Sequence, residues 1–231
     1  MTPAQFVRTK KAVLFDLFQT LTSRESEKNN LPQTSELLGV TREAWYEQIF
    51  RNSPERLRGI DTDPFGIMAK MARAIDPSIS DITIRTACEN RLKIFRRVLM
   101  NIPAGNIAAL RALRAAGMKT ALVSNADVTE IAGWDDSPLK GEFDTEVFSC
   151  RVGLIKPEPE IYLYALDKLG VSPDCAVFVG DGGSDELKGA RALGIATVLM
   201  TGVIEETMPA LVAQRLPLAD YVIRRIPELI E

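Results

Sequence analysis

The chain alternates short, continuously apolar runs with amphipathic segments. The apolar runs end at Asp16, Ser124, Asp181 and Met200. Strands that are apolar at every position, rather than at alternate positions, are buried on both faces and belong to parallel sheets. The segments between them have helical periodicity, and several close at a glycine: Gly117, Gly170 and Gly194. This alternation predicts an α/β fold, a doubly wound parallel sheet with helices on both faces.

One stretch departs from this alternation. From about residue 23 to residue 99, apolar residues recur at helical spacing, as at Trp45, Ile49 and Phe50. We therefore predict a helical cap subdomain over residues 23–99, inserted after the first strand. Residues 1–22 and 100–231 are predicted to form the sheet-containing core.

Composition excludes several classes of function. The 231 residues include no histidine, which excludes Ser-His-Asp catalysis, Cys-His catalysis and His-ligated zinc. The net charge of −3 comes without a basic block, so we expect no nucleic-acid partner. The sequence has no apolar stretch long enough to span a bilayer, so we expect no membrane partner. Three widely spaced cysteines indicate free thiols in a reducing cytoplasm. Nothing in the sequence indicates the oligomeric state.

Polar residues follow the predicted strands at the points where those strands end. They are Asp16, Ser124 with Asn125, and Asp181 with Asp185 beyond it, while Lys156 lies in a loop before a helix. Each alone is typical of a turn or a helix cap. In a parallel sheet, however, ligands bind at the carboxyl ends of the strands. Four such clusters together predict a single site at that edge.

These motifs resemble those of the haloacid dehalogenase (HAD) superfamily, over nearly the whole chain. FDLFQTLT resembles the first motif, an Asp nucleophile with a Thr four residues later, and LVSN resembles the second. IKPEPEIY resembles the third motif, and FVGDGGSDELKGA resembles the acidic fourth motif. The helical stretch resembles the C1-type cap of that family, attached to a Rossmann-like core.

The resemblance implies that the chain is a hydrolase with a phosphate-handling site. Asp16 would attack phosphorus and form an aspartyl-phosphate, while Thr20 would help to position it. Ser124 and Asn125 would lie at the phosphoryl oxygens, aided by a helix expected to begin just after Asn125. Lys156 would offset the negative charge on the nucleophile and the phosphoryl group.

The same resemblance implies a Mg²⁺ site. Asp16 and Asp181 would be direct ligands, the Phe18 carbonyl would add a third oxygen, and Asp185 would lie close by, paired with Lys156. The charges agree with this expectation, because three carboxylates face one lysine and a phosphate would add further negative charge. Mg²⁺ prefers oxygen ligands of this kind.

Phe18 departs from the phosphatase pattern. Typical phosphatases of the family have a second Asp at this position, which protonates the leaving oxygen and later activates water. Phenylalanine does neither, although Glu25 and Glu27 lie nearby in the link to the cap. The aromatic residue resembles the family's 2-haloacid dehalogenases, which use the same nucleophile without a metal.

Our leading hypothesis is a Mg²⁺-dependent phosphatase acting on a small phosphorylated metabolite. The alternatives are a 2-haloacid dehalogenase and a weakly active or non-catalytic binding protein. A phosphonatase-like reaction ranks lower because it needs a cap lysine; the candidates are Lys28, Lys70 and Lys93.

Overall fold

The computed structural model describes residues 1–28, 30–51 and 53–231. Six strands form one sheet: β1 (Ala12–Phe15), β2 (Lys119–Ser124), β3 (Thr145–Phe148), β4 (Ala176–Gly180), β5 (Ala196–Met200) and β6 (Tyr221–Ile223). Their order is β3-β2-β1-β4-β5-β6, and all neighbours are parallel. The predicted parallel α/β fold is confirmed.

Helices connect and cover the strands. The N-terminal helix is α1 (Pro3–Val7), which the sequence analysis missed. Between β1 and β2 lie α2 (Arg24–Glu27), α3 (Thr34–Leu38), α4 (Arg42–Arg51), α5 (Ser53–Leu57), α6 (Pro64–Ile75), α7 (Asp81–Met100) and α8 (Ala104–Ala115). Later in the chain come α9 (Ser149–Val152), α10 (Pro159–Leu169), α11 (Glu186–Ala192), α12 (Ile204–Thr207) and α13 (Pro209–Arg215).

The sheet is buried on both faces, as its apolar strands predict. Val13 and Phe15 of β1 pack with Leu110 of α8 on one face. Leu14 packs with Ile161 of α10 on the other. Successive side chains of a strand point to opposite faces, so a strand covered on both sides needs apolar residues at every position.

Helices α3, α4, α6 and α7 share a separate apolar cluster. Trp45, Met68 and Ile84 lie at its centre, each at most 5% exposed. This cluster agrees with a helical cap over residues 23–99. Helix α7 continues to Met100, across the proposed boundary, and the division into domains stays a prediction.

Strand register brings the candidate site residues to one edge. Phe15 is paired with Leu122 of β2 on one side and with Val179 of β4 on the other. The three strands therefore end side by side, and the residues that follow them meet. Over the described part of the chain, no helix is both long and apolar enough to cross a membrane.

Candidate active site

Asp16 lies just beyond β1, at the centre of the sheet edge. Its main-chain N–H donates to the Val179 carbonyl at 2.9 Å, which fixes its position, and the residue is 7% exposed. Oδ1 accepts a hydrogen bond from Lys156 Nζ at 2.5 Å, and Oδ2 accepts one from Thr20 Oγ1 at 3.2 Å. The structure thus brings three of the predicted residues together around one carboxylate.

Ser124 and Asn125 end β2, and their side chains behave differently. Ser124 Oγ is fully buried and has no hydrogen-bond partner within the described residues. Asn125 Nδ2 donates to the Lys156 carbonyl at 2.9 Å, and Asn125 Oδ1 accepts from the Lys156 N–H at 2.8 Å. Asn125 therefore holds the loop that presents Lys156, while Ser124 keeps a free hydroxyl.

Lys156 bridges two carboxylates. Its Nζ lies 2.5 Å from Asp16 Oδ1 and 2.5 Å from Glu186 Oε2, and it is buried. Burial opposes a charge on this amine, but Asp16 and Glu186 raise the pKa of Lys156 above its usual range. The lysine therefore stays protonated and can offset negative charge in the site.

The fourth motif turns Glu186, rather than Asp185, into the site. Ser184 and Asp185 both have a φ of 53°, in the left-handed region, and Asp185 is exposed. Glu186 is 1% exposed, and its Oε1 accepts from the Gly182 N–H at 2.9 Å. The expectation that Asp185 pairs with Lys156 is wrong, because Glu186 makes that contact.

Gly180 makes room for this carboxylate. A Cβ at Gly180 would lie 2.1 Å from Glu186 Oε1, so a larger residue would displace it. As a result, oxygens of Asp16, Asp181 and Glu186 lie within 4.8 Å of one another. Burial and the nearby Asp16 charge raise the pKa of Glu186 to about 8. The same two causes raise the pKa of Asp181.

Arg215, which sequence reasoning missed, contacts this cluster from α13. Its Nη1 donates to the Asp181 carbonyl and to Asp181 Oδ2, both at 2.8 Å. No motif in the sequence identifies this arginine, since it lies 34 residues beyond Asp181. Three carboxylates therefore face two cations, rather than the single lysine counted from the sequence.

No helix begins just after Asn125 in the described structure. The expectation that a helix N-terminus there would face the phosphate is therefore wrong. Residues 128–130 form a turn instead. Asp127 Oδ1 accepts from the N–H groups of Thr129 and Glu130, which closes that turn. Asp127 Oδ2 also forms a buried ion pair at 2.5 Å with Arg56 of α5, so the side chain is committed to the contact with α5.

Phe18 is half-buried and packs against α7. Its ring meets that of Phe95 of α7 nearly edge to face, with centroids 5.5 Å apart. Of the acids considered as substitutes, Glu27 is ion-paired with Arg24 at 3.5 Å, and burial raises its pKa. The Glu25 side chain lies outside the described residues. The role of the Phe18 carbonyl as a metal ligand stays a prediction.

Comparison with known proteins decides the family. The model of the haloacid dehalogenase-like hydrolases matches residues 10–194, most of the chain. The chain belongs to this family. It is accordingly a hydrolase, and the resemblance drawn from its four motifs is confirmed.

Relatives with different activities match this family member. Bifunctional epoxide hydrolase 2 of Rattus norvegicus is 39% identical over 99 residues, which cover 41% of this chain and 18% of the relative. The chain thus matches under a fifth of that protein. Glyceraldehyde 3-phosphate phosphatase of Methanopyrus kandleri is 27% identical over 199 residues, covering 81% of this chain and 82% of the relative.

Solved structures support the fold. A dehalogenase superposes with a TM-score of 0.67 at 20% identity, covering 96% of each chain. A HAD family enzyme from Bacteroides thetaiotaomicron, in complex with magnesium and inorganic phosphate, gives a TM-score of 0.61 at 20% identity. That match covers 83% of this chain and 94% of the other.

Proposed function

We propose that this hydrolase is a Mg²⁺-dependent phosphatase acting on a small phosphorylated metabolite through an aspartyl-phosphate on Asp16. The observation that carries the proposal is the cluster of three carboxylates, Asp16, Asp181 and Glu186, within 4.8 Å. The M. kandleri phosphatase, which matches over most of its length, supports the choice of substrate class. We also place the protein in the cytoplasm, in keeping with its three unpaired cysteines.

The residues present fit a Mg²⁺ ion. All three side chains offer carboxylate oxygens, which are hard ligands, and the site contains no sulfur or imidazole donor that would favour a softer metal. Asp16 and Asp181 would hold the ion, with Glu186 beside them. Bound Mg²⁺ would offset the negative charge that the phosphoryl group brings to the site.

The chain's own residues carry the phosphoryl transfer. A carboxylate oxygen of Asp16 attacks phosphorus, and the bond from phosphorus to the leaving oxygen breaks with its electron pair on that oxygen. Lys156 offsets charge at the nucleophile, and the unpartnered Ser124 hydroxyl donates a hydrogen bond to a phosphoryl oxygen. Water then attacks phosphorus, which releases phosphate and restores Asp16.

Phe18 defines which substrates react well. Without an acid at this position, the leaving oxygen takes its proton from water. General acid–base catalysis contributes about 10²–10⁴-fold, so alkyl phosphates should react slowly. Acyl phosphates, whose leaving groups need no proton, should be affected less. We therefore expect acyl phosphates to be the better substrates.

A 2-haloacid dehalogenase is the second candidate, and two observations favour it. Phe18 supplies an aromatic residue where an acid would otherwise stand, and Arg215 offsets the charge of Asp181 without a metal. In that reaction Asp16 attacks the carbon bearing the halogen, halide leaves with the bonding electrons, and water hydrolyses the ester. A phosphonatase is disfavoured, since Lys28, Lys70 and Lys93 are all exposed.

The deciding experiment measures both products from the same protein. Phosphate release from acyl and alkyl phosphates is followed with Mg²⁺ and with EDTA, beside halide release from 2-chloro- and 2-bromoacids. We expect Mg²⁺-dependent phosphate release that Asp16→Asn abolishes. Halide release that persists in EDTA, with no phosphate turnover, would establish the dehalogenase instead. Neither product from any substrate would favour a binding protein.

A pair of neighbouring substitutions tests the arrangement of the fourth motif. Glu186→Gln should weaken Mg²⁺ binding and lower turnover, because Glu186 is buried in the cluster. Asp185→Asn should change both much less, because Asp185 is exposed. The reverse order would mean that Asp185 is the residue nearer the metal.

A further inference from the structure

Asp181 has a cationic partner within the protein itself. Arg215 Nη1 lies 2.8 Å from both the carbonyl oxygen and Oδ2 of Asp181. The contact is largely shielded, with the Arg215 side chain 16% exposed and the Asp181 side chain 9% exposed. Shielding from water strengthens such a pair relative to one on the surface.

The loop beside Asp181 is shaped to admit this arginine. Gly182 has a φ of +88°, which favours glycine. A Cβ at this position would lie only 2.7 Å from Arg215 Cδ, so a larger residue would push the arginine stem away. Glycine at position 182 therefore allows the left-handed turn and also leaves room for the Arg215 side chain to cross that turn.

Arg215 and Lys156 contact different carboxylates of the site. Lys156 contacts Asp16 and Glu186, each at 2.5 Å. Arg215 contacts Asp181, the third carboxylate. Each buried carboxylate of the cluster therefore has a cationic side chain beside it.

We propose that Arg215 is a built-in counter-cation that occupies Asp181 in place of the divalent ion and thereby lowers the affinity of the site for Mg²⁺. The inference rests on the metal site of the proposed function. A divalent ion placed beside Asp181 is repelled by the guanidinium, which must move off Oδ2. The Asp181 carbonyl gives Nη1 a second acceptor, so the arginine can stay on the loop when it releases the carboxylate.

The test compares Mg²⁺ binding by isothermal titration calorimetry in wild type and variants. Arg215→Gln removes the charge and should lower the Kd for Mg²⁺ by about tenfold, equivalent to roughly 1.4 kcal/mol. Arg215→Lys retains the charge and should stay within about threefold of wild type. Arg191→Gln is the matched control, because Arg191 forms a 2.8 Å ion pair with Asp220, outside the carboxylate cluster.

Thermal unfolding gives a second readout that a purely structural role would not produce. In EDTA, Arg215→Gln should have a lower Tm than wild type, because Asp181 loses its partner. At saturating Mg²⁺ the difference in Tm between the two proteins should be smaller, because the bound ion replaces the positive charge of Arg215 beside Asp181. An equal loss of Tm with and without Mg²⁺ would reduce Arg215 to a structural residue and overturn the inference.

The outcomes separate this inference from the proposed function. Unchanged or weaker Mg²⁺ binding by Arg215→Gln, with clear binding by wild type, overturns the role of Arg215 and leaves the metal site intact. Binding by Arg215→Gln alone supports the inference in its strongest form. If neither protein binds Mg²⁺, the metal site of the proposed function fails, and the inference fails with it.

Discussion

The buried hydroxyl of Ser124 is destabilising in the folded protein, because its Oγ has no hydrogen-bond partner within the described residues. An unsatisfied buried polar group costs about 1–3 kcal/mol. Ser149, another fully buried serine nearby, is satisfied: its Oγ bonds to both the N–H and the carbonyl of Ala126. The contrast indicates that Ser124 is held ready for a ligand.

This contrast predicts opposite effects of the same substitution. Ser124→Ala should leave the free energy of unfolding unchanged or higher, yet lower kcat/KM for a phosphate ester by about 10- to 100-fold, as expected for losing a hydrogen bond to a charged group. Ser149→Ala should lower the free energy of unfolding by about 1 kcal/mol. Urea unfolding and steady-state kinetics measure both. A Ser124→Ala protein with normal kinetics would remove the hydroxyl from the mechanism.

Phe18 allows a test of the missing acid. Phe18→Asp should raise turnover of alkyl phosphates by about tenfold or more. It should also cost about 1 kcal/mol of stability or more, because the contact with Phe95 is lost. Phe18→Leu is the control that loses the aromatic ring without gaining an acid. If both variants turn over alkyl phosphates at the same rate, the lack of an acid at this position is not what limits the enzyme.

Among the elements, helix α7 lies next to the candidate site. Arg91 and Phe95 lie one turn apart on one face of this helix, with the Arg91 guanidinium 4.6 Å from the centre of the Phe95 ring. Arg91 donates to Glu130 at 2.8 Å and to Thr129 at 3.1 Å, both in the turn after β2. Phe95 meets Phe18 in the loop after β1. One helix face therefore contacts the loops that follow two strands of the site.

Removing Arg91 should strongly destabilise the protein. Arg91→Met leaves Glu130, whose side chain is 13% exposed, without its nearest cation and should cost about 3–5 kcal/mol. Arg96→Met on the same helix is the control, since its pair with Asp136 is more than half exposed and should contribute about 0–1 kcal/mol. Both free energies of unfolding are measured in urea.

Adding Glu130→Gln to Arg91→Met should recover part of the lost free energy of unfolding. If the effects of the two substitutions on the free energy of unfolding are additive, the two residues do not interact.

The sequence predicts the strands and the longer helices well, because burial on both faces demands apolar residues throughout. It fails where tertiary contacts decide. The apolar pattern of EFDTEVFSC predicts one strand, but β3 ends at Phe148 and α9 begins at Ser149. The turn after Asn125 replaces a helix because Asp127 bonds to local N–H groups and to Arg56. The sequence pattern around Asp127 carries no information about a partner 71 residues away.

The site was predictable where one residue stands at the end of one strand. Asp16, Ser124 and Asp181 follow from this rule. Two adjacent acids were ambiguous, and left-handed backbone at Ser184 and Asp185 settles which one turns inward. Arg215 was beyond prediction, because its contact with Asp181 depends on how α13, in the connection from β5 to β6, packs beside the loop after β4 rather than on any motif.

At the scale of the whole molecule, the buried carboxylates make stability depend on pH. The pKa of Glu186 is raised from the model-compound value of 4.5 to about 8, by burial and by Asp16. Between those values the folded protein binds more protons than the unfolded chain, so its stability falls as pH rises. In EDTA, we expect Tm to be highest near the lower end of this range and to decrease toward its upper end.

Two variants check that assignment. Glu186→Gln should reduce the dependence of Tm on pH, because it cannot ionise, whereas Glu160→Gln at an exposed position of α10 should not. Saturating Mg²⁺ should also reduce the dependence in wild type, since a bound cation favours the charged carboxylate. A pH profile that is the same in wild type and Glu186→Gln would place the titrating group elsewhere.

The central place of β1 sets an order of events during synthesis. This strand emerges from the ribosome first, but its neighbours in the sheet, β2 and β4, are translated long afterwards. Helices α3, α4, α6 and α7 emerge in between and share an apolar cluster. The nascent chain therefore carries β1 without either neighbour until Ser124 has been made, and one edge of this apolar strand stays unpaired until Gly180 has been made. We expect chaperones to bind this segment during translation.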